Sequence, residues 1–345
     1  MSSRNRARSA PQARRRPEPL TVEAIERRLA ELAPEFPKVR MLLAFSGGVD
    51  SSVLLHLLVA LRERHRGACA LRAVHVNHGL SVHAAEWARY CRRQCRRLGV
   101  PLSVRQVDVR GRRRRGESLE AVARELRRGV FAQVLRPGEW LLTAQHADDQ
   151  LETVLLQWLR GAGVAGLAGM AECAPFARGT QWRPLLAWRR AEIEQAARKF
   201  GLAPIIDDSN ADLAFDRNYL RREVLPRLRR RWPAAAMTVA RSARLCAEAA
   251  ALLREVGRSD LQQVADADGA ALRIEALARL SAPRQRNVLR TWLSDRGAPV
   301  PDAVHLERIR CELPAARPDA HPRVEWAQGH AVVRRRRGAL VFEAH

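Results

Sequence analysis

The stretch covering residues 41–55 carries the clearest chemistry in the chain. It opens as a short apolar run at 41–45, typical of a buried parallel strand, and breaks at Ser46-Gly47-Gly48. Leucines then recur at helical spacing through residues 51–64. A strand that enters a helix through a glycine-rich turn can cradle a phosphate. Glycine lets the backbone approach the anion, and the helix start directs unpaired N–H groups toward it.

The loop itself is predicted to bind the phosphates of a nucleotide. Its hydroxyl groups, from Ser46, Ser51 and Ser52, can donate to phosphate oxygens, and Asp50 could cap the helix or help to hold a metal ion. No lysine follows the glycines, which excludes the P-loop of kinases and GTPases. The alternative is a capped strand–helix turn without a ligand. The predicted phosphate-binding residues are Ser46, Gly47, Gly48, Val49, Asp50 and Ser51.

Polar residues also follow two other predicted strands. Asn77 and His78 come at the end of a strand predicted over residues 70–76, where α/β sheets place ligand contacts, although a lone histidine there is more often structural. Asp148 and Asp149 follow a strand predicted over 140–144 and can hold Mg²⁺ against the phosphates of a nucleotide. They could instead be acids favoured at a helix N-terminus. The upstream phosphate loop favours the metal interpretation.

Strands alternate with helices through residue 160, which predicts an α/β fold with a doubly wound, mostly parallel sheet. From about residue 236 an Ala/Arg/Leu-rich helix and shorter elements predict a second, smaller, mainly helical domain. We therefore expect a disordered basic tail over 1–20, a catalytic domain over 21–235 and a further domain over 236–345. Residues 111–115 are predicted to form a solvated loop, with contact to RNA as the alternative. Gly161-x-Gly163-x-x-Gly166 has dinucleotide-binding spacing but follows a helix, so it is no Rossmann motif.

The composition favours a polyanionic partner. Among 345 residues, 61 Lys and Arg against 37 Asp and Glu give a net charge of +24, which points above all to nucleic acid. Alternatively, the charge reflects an arginine-rich proteome in which arginine occupies ordinary surface positions, without a polyanionic partner. No C-x-x-C occurs, which argues against zinc ribbons and iron–sulfur motifs, and the scattered thiols fit the reducing cytoplasm. No apolar run approaches membrane-spanning length, and we expect no membrane association.

Arginines at positions 217 and 221 fall on one helix face, one turn apart. Taken alone, Arg217 and Arg221 would be two solvated side chains, but both lie within one of several motifs that occur together.

The loop Ser46 to Ser51 resembles the pyrophosphate (PP) loop of the N-type ATP pyrophosphatases, and the full series of motifs resembles the tRNA(Ile)-lysidine synthetase family. The further motifs span most of residues 40–235, and residues 272–299 resemble the tRNA-binding domain of that family more weakly. They are His75-Val-Asn-His-Gly-Leu80, Glu120-x-x-Ala-Arg124, His146-x-Asp-Asp-Gln-x-Glu-Thr153, Arg160-Gly-Ala-Gly-x-x-Gly-Leu167, Arg183-Pro-Leu-Leu186, Asp207-x-Ser-Asn210 and Arg217-Asn-x-x-Arg221.

The resemblance implies ligation of free L-lysine to C2 of the wobble cytidine in the CAU anticodon of tRNA(Ile), after adenylation of that cytidine by ATP. It adds His75 and Asn77 to the ATP-binding loop and makes Asp50, Asp148 and Asp149 the catalytic carboxylates that hold Mg²⁺. ATP, lysine and tRNA(Ile) are the implied partners, and a homodimer is one oligomeric state left open. The implied contacts to tRNA or lysine are His78, Arg124, His146, Asp207, Asn210, Arg217, Asn218 and Arg221.

Two other functions remain open at this stage. One is another tRNA-modifying enzyme with this loop, such as a thiolase, and the other is an RNA-binding relative that has lost catalysis. The chain also departs from the family, which commonly has Arg-Tyr where Arg127-Arg128-Gly129 stands. The sequence ends soon after Phe342, where longer members carry a further domain, so we expect the shorter architecture.

Overall fold

The structure, a computed structural model, describes residues 19–81, 83–114, 118–202, 215–317 and 322–344. The chain forms two compact units that divide after Arg244. Two predicted site residues, Asp207 and Asn210, lie outside the described residues, as does the predicted basic tail up to residue 18.

The first unit is built on a six-stranded sheet with the order β3-β2-β1-β4-β6-β5. All neighbouring strands run parallel except β5, which pairs with β6 in an antiparallel hairpin. The predicted doubly wound, mostly parallel sheet is thus confirmed, whereas the hairpin was not predicted. The strands are β1 (Arg40–Ala44), β2 (Ala70–Asn77), β3 (Leu102–Gln106), β4 (Trp140–Leu142), β5 (Cys173–Phe176) and β6 (Gly179–Trp182).

Helices connect these strands. Thr21 caps the first helix, since its hydroxyl accepts from the Ala24 N–H at 3.2 Å. The prediction of a loop over residues 111–115 is wrong in part, because Gly111 belongs to a short helix that Asp108 caps. The helices are α1 (Val22–Leu32), α2 (Val49–Arg64), α3 (Ala84–Arg97), α4 (Val109–Arg112), α5 (Leu119–Val134), α6 (Ala147–Leu159), α7 (Val164–Leu167), α8 (Arg190–Lys199), α9 (Asp216–Tyr219) and α10 (Leu225–Arg231), with a π-helical turn at Leu220–Val224.

Two apolar cores cover the two faces of the sheet, because successive residues of a strand point to opposite sides. Met41 and Leu43 of β1 pack in the core that contains α2, whereas Leu42 packs in the core that contains Phe131 of α5. Helix α2 is buried around most of its circumference, with Leu54, Leu57 and other leucines fully inaccessible. Each such leucine stabilises the fold by roughly 1.5–3 kcal/mol. The position of α2 over the sheet is therefore firmly fixed.

The second unit combines helices with a four-stranded antiparallel sheet of order β7-β10-β9-β8. The indole of Trp292, which is fully buried, lies edge-on to Phe342 in its core. Helix α11 (Ala235–Val264) spans the division between the units. The other elements are β7 (Ala271–Arg273), α12 (Ile274–Ala278), α13 (Ala282–Asp295), α14 (Ala303–Glu307), a π-helical turn (Arg308–Glu312), α15 (Leu313–Ala315), β8 (Arg323–Trp326), β9 (Ala331–Arg336) and β10 (Ala339–Ala344).

Among the described residues, no helix combines the length and the apolar character needed to cross a membrane.

Candidate active site

The glycine-rich loop joins β1 to α2 at the carboxyl edge of the sheet. Gly47 has a φ of +88°, a conformation that L side chains rarely adopt, and Gly48 is the N-cap of α2. The hydroxyls of Ser46 and Ser51 lie 3.0 Å apart, and Ser51 donates to the Gly48 carbonyl at 3.1 Å. Asp50 does not cap the helix, which corrects one of its two predicted roles. The first turn of α2 thus keeps N–H groups available for an anion.

A buried pair of side chains supports this loop from inside the unit. His75 Nδ1 lies 2.9 Å from the Phe45 carbonyl oxygen, and Cys91 Sγ lies 3.5 Å from the same nitrogen. Burial lowers the pKa of His75, which favours a neutral imidazole whose Nδ1–H donates to Phe45. A Cβ at Gly47 would meet Cys91 Sγ at 3.0 Å. His75, a predicted ATP-binding residue, therefore holds the shape of the loop.

Asp50 lies in the first turn of α2 and faces α8. Its Oδ2 accepts from Arg190 Nη1 at 2.9 Å, whereas its Oδ1 is buried without a hydrogen-bond partner. Burial raises the pKa of Asp50, and Asp149 adds to the rise, while His146 and Arg190 oppose it. The unpartnered oxygen is the one atom of this carboxylate that can still take a ligand.

Asp148 and Asp149 open α6, as predicted, and all four of their carboxylate oxygens accept hydrogen bonds. Asp148 accepts from the Arg190 backbone N–H and from Arg229 Nη2, both at 2.7 Å. Asp149 accepts from the His146 backbone N–H at 3.0 Å and from Arg221 Nη2 at 2.7 Å. Within the described residues, no three His, Cys, Asp or Glu side chains are arranged to hold a metal ion. The metal role of the two aspartates stays a prediction.

Glu152, which was not predicted as a site residue, completes the acidic face of α6. It is 2% exposed, and its two oxygens accept from Arg217 Nε at 2.9 Å and Arg221 Nε at 2.5 Å. The shared helix face predicted for Arg217 and Arg221 is confirmed, because both reach this one carboxylate. Spacing could have identified Glu152, since it follows Asp149 by three residues on a helix.

His146 immediately precedes α6 and is buried among the aspartates. Its Nε2 lies 3.4 Å from Asp149 Oδ2 and 3.9 Å from Asp50 Oδ1, and its Nδ1 lies 3.7 Å from Asp148 Oδ2. We call this imidazole and its ionic neighbours the acid–arginine cluster. Besides His146, its members are Asp50, Asp148, Asp149, Glu152, Arg190, Arg217, Arg221 and Arg229.

Other predicted residues lie near this edge without joining the cluster. Asn77 ends β2, and its Oδ1 accepts from the Gly79 N–H at 2.9 Å, which shapes the turn that contains His78. Asn218 is half-buried in α9 between the two cluster arginines. Arg124 is exposed on α5.

The loop and the cluster meet between β1 and β4, where the order of successive strands in the sheet reverses. Strand β1 pairs with β2 on one side and with β4 on the other, so the loops after β1 and β4 open a crevice between them. Open α/β sheets bind ligands at this point. Two helix N-termini, those of α2 and α6, begin here, and the acid–arginine cluster lines the same crevice. The arrangement suits a phosphorylated ligand beside a cationic one.

Comparison with known proteins agrees with this geometry. The PP-loop domain family matches residues 21–228, and the TilS substrate binding domain matches residues 272–341. The tRNA(Ile)-lysidine synthase of Salmonella heidelberg (strain SL476) is 51% identical over 283 residues, and that of Salmonella paratyphi B is 50% identical. Both alignments cover 82% of this chain and 65% of the relative, so the chain matches just under two thirds of the length of each curated relative.

A solved structure shows the same fold. A U34-tRNA thiolase from Methanococcus maripaludis superposes with a TM-score of 0.52 at 17% identity, covering 65% of this chain and 78% of that one. The resemblance inferred from the motifs is thus confirmed by both sequence comparisons. By its sheet, its loop and the family match over residues 21–228, this chain belongs to the PP-loop family.

Proposed function

We propose that this protein is a tRNA(Ile)-lysidine synthase. It ligates L-lysine to C2 of the wobble cytidine in the CAU anticodon of tRNA(Ile), using ATP and releasing AMP and pyrophosphate. The product reads AUA in place of AUG, and the tRNA identity changes from methionine to isoleucine. The observation that supports this best is the acid–arginine cluster beside the glycine-rich loop, since it offers anion and cation sites in one crevice.

The first step is adenylation of the cytidine. The cytidine O2 bonds to the α-phosphorus of ATP while the bond from that phosphorus to the β-phosphate oxygen breaks, and pyrophosphate leaves. The loop from Ser46 to Ser51 would take the pyrophosphate, because the start of α2 directs N–H groups and a partial positive charge at it. Arg190 would add a fixed positive charge.

The site offers Mg²⁺ one carboxylate oxygen that is not already hydrogen-bonded. Mg²⁺ on nucleotides keeps several waters and takes only one or two protein carboxylates besides the phosphates. The buried Oδ1 of Asp50, which has no hydrogen-bond partner, meets that requirement. Asp148 and Asp149 would have to exchange arginine contacts first. We therefore assign Asp50 as the principal ligand of the ion, which when bound would offset charge on the phosphates.

The second step is attack by an amine of lysine on C2, with breakage of the C2–O2 bond and departure of AMP. Asp149 and Glu152 would hold an ammonium group, because Glu152 is buried, Asp149 is half-buried, and both carboxylates are already paired with exchangeable guanidinium groups. Arg217 and Arg221 could then bind the lysine carboxylate. His146, in contact distance of the aspartates, is placed to take the proton that the amine loses.

The decisive experiment is incubation of the full chain with ATP, labelled lysine and tRNA(Ile) bearing a CAU anticodon. We expect label in the RNA, with AMP and pyrophosphate released in equal amounts. An otherwise identical tRNA with uridine at the wobble position is the matched control, and it should remain unlabelled. We expect the reaction in the cytoplasm, where this tRNA is found.

Two outcomes would replace the proposal. Sulfur incorporation in place of lysine would indicate a thiolase, and tRNA binding without any release of pyrophosphate would indicate an inactive relative. Neither alternative is favoured by a feature of the described residues.

A further inference from the structure

The exposed face of α5 carries three arginines that the mechanism does not use. Arg124, Arg127 and Arg128 are spaced three and four residues apart, so they share one side of the helix. All three are exposed. Among the residues that the structure describes, no Asp or Glu forms an ion pair with any of them, although Glu120 lies one turn before Arg124.

Arg128 is held in a fixed orientation by an aromatic ring. Its guanidinium carbon lies 4.9 Å above the centre of the Phe176 ring, and that ring is 7% exposed in the core between β5 and α5. A guanidinium stacked in this way leaves its N–H edges free to donate. The stack lowers the conformational entropy that Arg128 would lose on binding an anion.

A fourth arginine, Arg183, extends the same patch from the end of β6. Its Nη1 donates to the Ala171 carbonyl at 2.5 Å and its Nη2 to Gln181 Oε1 at 2.9 Å, whereas its Nε is buried without a partner. Burial and the neighbouring charges of Arg128 and Arg124 lower the pKa of Arg183 to about 10. Like charges this close would be stabilised by a bound anion.

The patch is electrostatically coupled to the acid–arginine cluster. Desolvation lowers the pKa of Arg124 most, and the positive charge of Arg217, the residue that pairs with Glu152, lowers it next. An anion on the patch would therefore lie within electrostatic reach of Arg217. It would also lie apart from the loop, because α5 covers the face of the sheet opposite to α2.

We propose that Arg124, Arg127, Arg128 and Arg183 bind the phosphodiester backbone of the substrate RNA beside the nucleotide that reacts. This inference rests on the proposed function. Arginine suits the task, since its planar fork donates to two phosphate oxygens at once. Such contacts fix the register of the RNA and carry no sequence information.

The test compares two double variants of the full chain that remove the same charge. Arg127→Gln with Arg128→Gln alters the patch, and Arg93→Gln with Arg96→Gln alters exposed arginines of α3, on the opposite face of the sheet. Binding of tRNA(Ile) is measured across a series of salt concentrations. Each lost phosphate contact should reduce the slope of log affinity against log salt by about 0.7–0.9.

We expect the α5 variant to lose about 1.4–1.8 in slope at unchanged ATP affinity, and the α3 variant to lose much less. Arg128→Lys keeps the charge and should recover most of the slope that Arg128→Gln loses. A cooperative thermal unfolding transition shows that each variant is folded. If the α5 double variant is not folded, the single variants Arg127→Gln and Arg128→Gln replace it in the binding measurement.

Equal slopes and affinities for the α5 and α3 variants would overturn the inference while leaving the proposed function intact, since the unaltered chain would still bind and modify the tRNA. Absence of tRNA binding by the unaltered chain would reject the proposed function, and this inference with it.

Discussion

Gly47 and Gly48 are neighbours in the loop, yet a methyl group should act on them in opposite ways. At Gly47, with φ at +88°, alanine would cost about 1–2 kcal/mol in backbone strain. Its Cβ would also lie 3.0 Å from the buried Cys91 sulfur and 3.4 Å from the Tyr90 ring, and overpacking costs about 1–3 kcal/mol more. Gly47→Ala should therefore lower the free energy of unfolding by about 2–5 kcal/mol.

At Gly48 the structure leaves room. Its φ is −70°, and among the described residues an added Cβ would come within 4 Å of Ser46 Oγ alone, at 3.5 Å. Replacing an N-cap glycine by alanine costs about 0.5–1 kcal/mol. The methyl would also occupy space that a phosphate must approach. Gly48→Ala should thus lower stability much less than Gly47→Ala does, and it should weaken ATP binding and pyrophosphate release, most clearly when combined with Ser46→Ala.

Urea unfolding and ATP affinity, measured on both variants, separate the two effects. A third variant, Gly47→Ala with Cys91→Ala, removes the sulfur and should show a favourable coupling of about 1 kcal/mol in a double-mutant cycle. The reasoning is refuted if Gly47→Ala is no less stable than Gly48→Ala. Unchanged adenylation by a folded Ser46→Ala, Gly48→Ala variant would refute the phosphate-binding role.

Three further predictions concern buried groups. Asp50→Asn should raise the melting temperature at neutral pH while slowing pyrophosphate release. Because burial raises the pKa of Asp50, the charged carboxylate lowers the free energy of unfolding at neutral pH. This loss of stability disappears as the pH falls through the raised pKa, so the variant and the unaltered chain should then be equally stable. Glu139→Gln should lower the free energy of unfolding by about 3 kcal/mol, because it leaves the Arg72 guanidinium without a charged partner. Burial alone would raise the pKa of Glu139, but the hydrogen bonds from Arg72 and Arg136 outweigh it and the net shift is downward. The difference between the variant and the unaltered chain should therefore vanish as the pH falls through that lowered pKa. Trp292→Ala should cost about 3–5 kcal/mol and expose residues 245–344 to proteolysis.

The strand and helix pattern of the first unit could be predicted because its signals are local. The apolar run at 41–45, the glycines after it and the leucine spacing of α2 each depend on residues within one turn or one strand. The short hairpin of β5 and β6 escaped prediction, since four-residue strands show too little alternation to be recognised.

Only those site residues that belong to a recognisable motif could be predicted from the sequence. Asp148, Asp149 and His146 were identified because they share one motif, whereas Arg190 and Arg229 carry no motif and were missed. Their partners lie far away in sequence, with Asp50 and Arg190 separated by 140 positions. In a chain with 61 Lys and Arg, no sequence feature marks which arginine folds back onto an aspartate.

The outer strands of the two sheets bear on edge-to-edge association between chains. An edge strand exposes unpaired backbone groups that can recruit another chain. In the first sheet the outer strand β3 has five residues and β5 has four, and Pro175 of β5 has no N–H to offer. In the second unit the outer strands β7 and β8 have three and four residues. Edges this short give an approaching strand little to pair with, which disfavours the growth of intermolecular sheets.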